Sequence, residues 1–257
     1  MNTQTPGRFS QLITKFESSS AAELGDFTAK RRLIRISAIA VVIGFLSAVI
    51  AYVLLKLIAL FTNIFFFQRI TFTQASPADN HLGWLILLVP VIGGLIIGLM
   101  ARYGSDRIRG HGIPEAIEAI LLGGSRVQPK IALLKPLSSA ISIGSGGPFG
   151  AEGPIIMTGG AFGSMLAQFL HLTDAERKTL LVAGAAAGMS ATFDAPVASV
   201  LLAVELLLFE WKPRSLIPVA LASATAAAAR GLFLDKGPLF PVPVHPDSFG
   251  AGTLLWC

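Results

Sequence analysis

Two stretches of the chain place glycine, proline and a carboxylate where a helix must begin. The first is GHGIPE, Gly110 to Glu115, and the second is GSGGPFGAEGP, Gly144 to Pro154. Pro114 and Pro154 suit a first helical turn, where the N–H that proline lacks has no intrahelical partner to lose. Gly110 and Gly112 let the backbone turn sharply and leave N–H groups uncovered. A helix N-terminus combines orphan N–H donors with a partial positive charge, and that combination attracts anions. One such stretch is explained by a turn and a cap. Two of them suggest convergence on a common anion.

Glu152 carries the sharpest signal. It stands at the opening of the second helix, where an anion would be held. Ionised, its carboxylate would occupy that site; protonated, it could swing away, which describes a proton-sensitive gate. A capping role alone would contribute only about 0.3–1 kcal/mol. Competing chemistries fit less well. No Lys-Ser or Lys-Thr pair follows the glycines, as a phosphate-binding P-loop needs, and no strand precedes them as a dinucleotide fingerprint needs. Ser145 lacks the spacing of a serine nucleophile, and four histidines are few candidates for its base. The chain is not expected to be an enzyme, and neither a cofactor nor a metal is expected.

The elements around these stretches read as membrane helices. Of 257 residues, 53% are hydrophobic and 14% charged, against about 25% charged in soluble domains. That balance excludes a disordered chain and a nucleic-acid partner, and makes lipid the expected surroundings. The single cysteine, Cys257, excludes a disulfide framework. Ile36 to Leu55, continuing past Lys56 to Phe67, is a first span, long and tilted. Leu82 to Met100 is a second, with Pro90 as a kink. Both are expected to face lipid. Lys30, Arg31, Arg32 and Arg35 precede the first span, and Arg102, Arg107 and Arg109 follow the second. The positive-inside rule therefore puts the N-terminus and the segment after Met100 in the cytoplasm. Residues 1–30 show no signal-peptide pattern.

Beyond Arg109 the apolar segments are shorter and interrupted: Pro114–Leu122, Ile131–Ile143, Pro154–Leu172, Leu180–Phe193, Ala195–Leu208 and Ser215–Ala229. Several are too short to cross a bilayer, the pattern of broken helices in transporters and channels. Gly94 with Gly98, Gly159 with Gly163, and Gly184 with Gly188 have the small-xxx-small spacing of tight helix packing. Thr173 and Glu176 form a capping box that opens a helix at Asp174.

GHGIPE, GSGGPFGAEGP and LLVAGAAAGMSATFDAPVASVLLAVE (Leu180 to Glu205) together resemble the CLC family of chloride channels and chloride–proton antiporters. The resemblance runs from the first span to about Ala229. It implies an all-α polytopic membrane protein with broken and tilted helices, the first half of an inverted-repeat fold. On this basis residues 1–32 are a cytoplasmic segment, 33–233 the transmembrane domain, and 234–257 a Pro-rich connection at which the chain is truncated.

By the same resemblance, Glu152 is the gate. Gly110, His111, Gly112, Ile113 and Pro114, with Gly150, Ala151, Gly153 and Pro154, form two chloride-coordinating loops. The partners implied are chloride or a similar small anion, membrane lipid, and a second copy in a homodimer joined through the helices around 195–208 and 215–229. A multi-pass protein of a bacterial inner or plasma membrane is expected.

The sequence departs from the family pattern in four ways. His111 replaces a serine whose hydroxyl would hold the central chloride, and Ala151 replaces an arginine. Glu205 is followed by Leu206 where exchangers carry a second acid; this favours passive conduction, with Glu210 as a substitute on any proton path. The family's later Gly-x-Phe-x-Pro loop and chloride-coordinating tyrosine have no counterpart, so this chain alone is expected not to conduct. A coupled antiporter and a non-conducting membrane scaffold are the alternatives.

Overall fold

The computed structural model describes residues 31–234. Apart from Arg31, Arg32 and Leu234, the expected segments 1–32 and 234–257 lie outside the described residues. Helix α1 spans Arg31–Phe67. Its 37 residues reach about 55 Å at 1.5 Å per residue, well beyond an apolar core of about 30 Å. Two segments, Arg32–Phe67 and Gly83–Tyr103, are long and apolar enough to cross a membrane.

The expectation that α1 simply faces lipid is corrected by its packing. Ala40, Ile43, Ser47, Ala48, Ala51 and Leu54 form a buried stripe along one face. Val41, Val42, Phe45, Leu46 and Val53 remain exposed on the other. The buried positions recur at helical spacing, so one side of the helix belongs to the protein core.

A 3-10 turn, Gly83–Leu87, runs directly into α2, Leu88–Tyr103. Pro90 therefore stands in the first turn of α2 rather than at a mid-helix kink, where its missing N–H breaks no ladder. Gly94 and Gly98 on α2 have nothing within 4 Å of a built Cβ, so their spacing marks no helix contact among the described residues.

The remaining helices are α3 (Ile113–Leu121), α4 (Pro129–Gly144), α5 (Glu152–Phe169), α6 (Asp174–Phe193), α7 (Pro196–Ala203) and α8 (Pro213–Arg230). A π-type turn, Val204–Leu208, extends α7. At about 14 Å and 12 Å, α3 and α7 are far too short to span a bilayer.

Helix α6 is the hub, and Leu180 to Thr192 are all buried. It packs on α1, α5, α7 and α8. Its contact with α5 is backbone against backbone. A Cβ on Gly159 would lie 2.3 Å from the Gly184 carbonyl oxygen, and one on Gly184 2.2 Å from that of Gly159. One on Gly163 would meet the Leu180 oxygen at 2.1 Å. Small residues here let helices approach where lipid offers no hydrophobic drive. Hydroxyls add interhelical bonds: Ser190 donates to the Ser223 carbonyl at 2.8 Å, and Ser223 to that of Pro196 at 2.9 Å.

The capping box opens α6 as expected, with Thr173 N–H donating to Glu176 Oε2 at 3.0 Å. The same carboxylate accepts two bonds from the Arg32 guanidinium, one from Nη2 at 2.9 Å, tying the start of α1 to the start of α6.

Gly159→Val is expected to lower stability by about 2–3 kcal/mol, because the added carbons meet a carbonyl instead of a movable side chain. Gly98→Ala should stay within about 0.5 kcal/mol. Thermal unfolding of both variants in detergent checks the contrast; equal midpoints would show that α5 and α6 do not meet at Gly159.

Candidate anion site

The loops that precede α3 and α5 touch one another. Gly112 adopts φ +112°, a conformation closed to most side chains, and a Cβ on it would lie 2.5 Å from the Gly153 carbonyl oxygen. A Cβ on Gly153 would lie 2.0 Å from the His111 carbonyl oxygen and 2.4 Å from its Nδ1. No side chain fits between the two backbones. Both positions have to be glycine for the helix N-termini to meet.

The N–H groups at this junction are largely uncovered. Those of Gly110, His111 and Ile113 on one loop, and of Gly150, Ala151, Glu152 and Gly153 on the other, find no acceptor among the described residues. Gly112 differs from its sequence expectation, because its N–H donates to Glu115 Oε2 at 2.8 Å. Glu115 stands at the third position of α3 and closes that end of the helix like the acid of a capping box.

The Glu152 carboxylate folds back over its own loop. Its Cδ and both oxygens lie 3.7–3.8 Å from the Cβ position of Gly150, and the side chain is exposed in the described residues. Gly110, His111, Pro114 and Gly150 are also exposed, Ile113 and Ala151 are half-buried, and Gly112, Gly153 and Pro154 are buried. A cavity of about 350 Å³ opens against both loops. Its wall includes Arg109, Gly110, His111, Gly150 and Pro154, with Ser138, Ser139 and Ser142 supplied by α4.

Lys135 is the residue that sequence reading missed. Its side chain is 1% exposed, and its Nζ lies 2.8 Å from the Gly110 carbonyl oxygen, 3.2 Å from that of Ile108 and 3.4 Å from that of Arg109. It also pairs with Glu115 Oε1 at 3.5 Å. The available signal was a lone cation within the apolar stretch Ile131–Ile143, where a charge must find partners.

Glu205 and Glu210 stand apart from these loops. Glu205 is exposed on the π-type turn, which packs on α3. Glu210 accepts a bond from Ser215 at 2.7 Å and pairs with Lys212 at 3.9 Å and Arg214 at 3.7 Å. Neither lines the 350 Å³ cavity.

Short broken helices, packed through glycine and meeting N-terminus to N-terminus, define a polytopic helical membrane protein of the CLC type. The sequence profile of the voltage-gated chloride channel family matches residues 92–256. The chain belongs to that family. It is 31% identical over 204 residues to the voltage-gated ClC-type chloride channel ClcB of Yersinia pseudotuberculosis, covering 79% of this chain and 48% of that protein. It is 34% identical over 134 residues to the H(+)/Cl(-) exchange transporter ClcA of Cronobacter sakazakii, covering 49% of this chain and 28% of that one. The chain thus spans less than half the length of these relatives.

Among solved structures, a CLC-type fluoride/proton antiporter matches with a TM-score of 0.65 at 20% identity, covering 84% of this chain and 53% of that one. A slow cyanobacterial Cl-/H+ antiporter matches with a TM-score of 0.61 at 19% identity, with coverages of 84% and 52%. At such identities these two matches establish the fold alone.

Gly153→Ala should force the two loops apart, since the new methyl meets a backbone oxygen. Calorimetric titration of the purified variant with chloride is expected to show affinity reduced about tenfold or more, equivalent to at least one lost N–H donor. Undiminished affinity would mean that the junction holds no anion.

Proposed function

We propose that the protein passes chloride or a similar small anion across a membrane, with the anion held between the loops Gly110–Pro114 and Gly150–Pro154. The observation that carries this reading is the contact between two helix N-termini most of whose N–H groups find no acceptor among the described residues. Such termini supply directed donors and partial positive charge, which hold an anion without trapping it. The names of the relatives, a chloride channel and a proton-coupled exchanger, agree with anion traffic.

Glu152 acts as the gate in this proposal. Its carboxylate already lies over Gly150, on the terminus an anion would occupy. While ionised it competes with the anion; once protonated it loses that advantage and can leave. His111, pressed on Gly153, can donate one imidazole N–H where the family pattern has a hydroxyl.

The N-terminus and the Arg102–Arg109 segment lie on the cytoplasmic side, following the positive-inside rule. A second copy covers the apolar residues Val197, Leu201, Ile217 and Leu221, which are exposed on α7 and α8. Passive conduction is preferred to exchange because Leu206 follows Glu205. The exchanger reading is kept for one observation: a second acid, Glu210, stands just past the π-type turn that carries Glu205.

Glu152→Gln removes the charge and keeps the shape. Anion flux into liposomes carrying the full-length protein is expected to become independent of external pH and to stay at its open level. A pH profile unchanged from that of the unsubstituted protein would refute the gate. Recording proton movement against an imposed chloride gradient separates the two modes: none is expected for conduction, and stoichiometric uphill proton flux would establish exchange.

A further inference from the structure

We infer that Lys135 is a positioning residue of the anion site, one that turns the N–H groups of the first loop outward and cancels the charge of Glu115. The inference rests on the permeation reading above. Three consecutive carbonyls, those of Ile108, Arg109 and Gly110, face its ammonium at 3.2, 3.4 and 2.8 Å. All peptide bonds described here are trans. In a trans peptide the N–H points opposite to the C=O. Drawing the carbonyls of Arg109 and Gly110 onto Lys135 therefore turns the N–H groups of Gly110 and His111 away from it. These are two of the donors that find no acceptor among the described residues.

Lys135 also balances a charge. Glu115 caps α3 through the Gly112 N–H, which puts a carboxylate within one turn of a terminus meant to attract anions. Uncompensated, that carboxylate would offset the helix-terminal field and repel the anion. The Lys135 ammonium at 3.5 Å balances it from the buried side, leaving the cavity face of the loop to its N–H donors. Lys135 does not itself line the cavity, whose wall carries the Arg109 cation, and so acts on charge selection through Glu115.

Anion flux in liposomes carrying the full-length protein, measured against anion concentration, tests the inference. Lys135→Met is expected to raise the half-saturating chloride concentration about tenfold, the worth of one charge-assisted hydrogen bond. The double variant E115Q/K135M is expected to fall back below Lys135→Met, because the charge to be balanced is gone. Glu115→Gln alone keeps the lysine grip and should lower the half-saturating concentration. This variant retains the capping amide and decides the matter if Lys135→Met does not fold.

A purely structural lysine would change folded yield and maximal flux but not half-saturation. An unchanged value in Lys135→Met, a double variant no better than the single, or a raised value in Glu115→Gln would overturn the inference. Absence of anion flux from the unsubstituted full-length protein would overturn the permeation reading, and this inference with it.

Discussion

A helix that begins inside a bundle leaves donors that must find an acceptor, and here two such helices begin at the same place. Gly112 and Gly153 bring the loops before α3 and α5 into backbone contact, closer than any side chain would allow. Seven N–H groups around that contact have no acceptor among the described residues. Three of them, on Ile113, Ala151 and Gly153, belong to half-buried or buried residues, where an unpartnered donor costs on the order of 1–3 kcal/mol. Some mobile acceptor must therefore serve them. Water satisfies that requirement as a hydrogen-bonding group, whereas a small anion also meets the partial positive charge of two helix termini. Much of the remaining architecture serves to hold this junction, from the glycine seam between α5 and α6 to the lysine beneath the first loop.

The larger features were legible because they rest on residue types with few alternatives. Proline and glycine at Pro114 and Pro154 marked two helix starts, and the structure opens α3 at Ile113 and α5 at Glu152. The capping box at Thr173 and Glu176 fixed the start of α6. What escaped depended on partners distant in sequence. Gly94 and Gly98 have the same spacing as Gly159 and Gly163, yet only the latter pair meets a neighbouring helix. Spacing describes one face of one helix and says nothing of what lies opposite. The buried stripe of α1 escaped for a related reason: alanine and serine at Ala40, Ser47, Ala48 and Ala51 do not stand out among leucines and valines as a packing face.

The scarce charges fall into recognisable roles. Arg32 with Glu176 joins two helix starts, and Lys178 donates to the Leu208 carbonyl at 2.6 Å, closing the end of the π-type turn. Lys135 with Glu115 supports the first anion loop from behind, while Glu152 lies across the second. Two positions that carry charge or a hydroxyl in the family pattern are altered, to Ala151 and His111. Neither alteration removes a backbone donor. The proposed anion site rests on main-chain N–H groups and so tolerates such exchanges, which leave the backbone donors in place.

An anion is proposed to sit where the two loops meet. Anomalous diffraction from crystals of the protein grown in bromide tests it most directly, because bromide replaces chloride and is located without reference to any side chain. A peak is expected within hydrogen-bonding reach of the N–H groups of residues 110–113 and 150–153. Bromide bound elsewhere in the protein, with ordinary water at that junction, would contradict it.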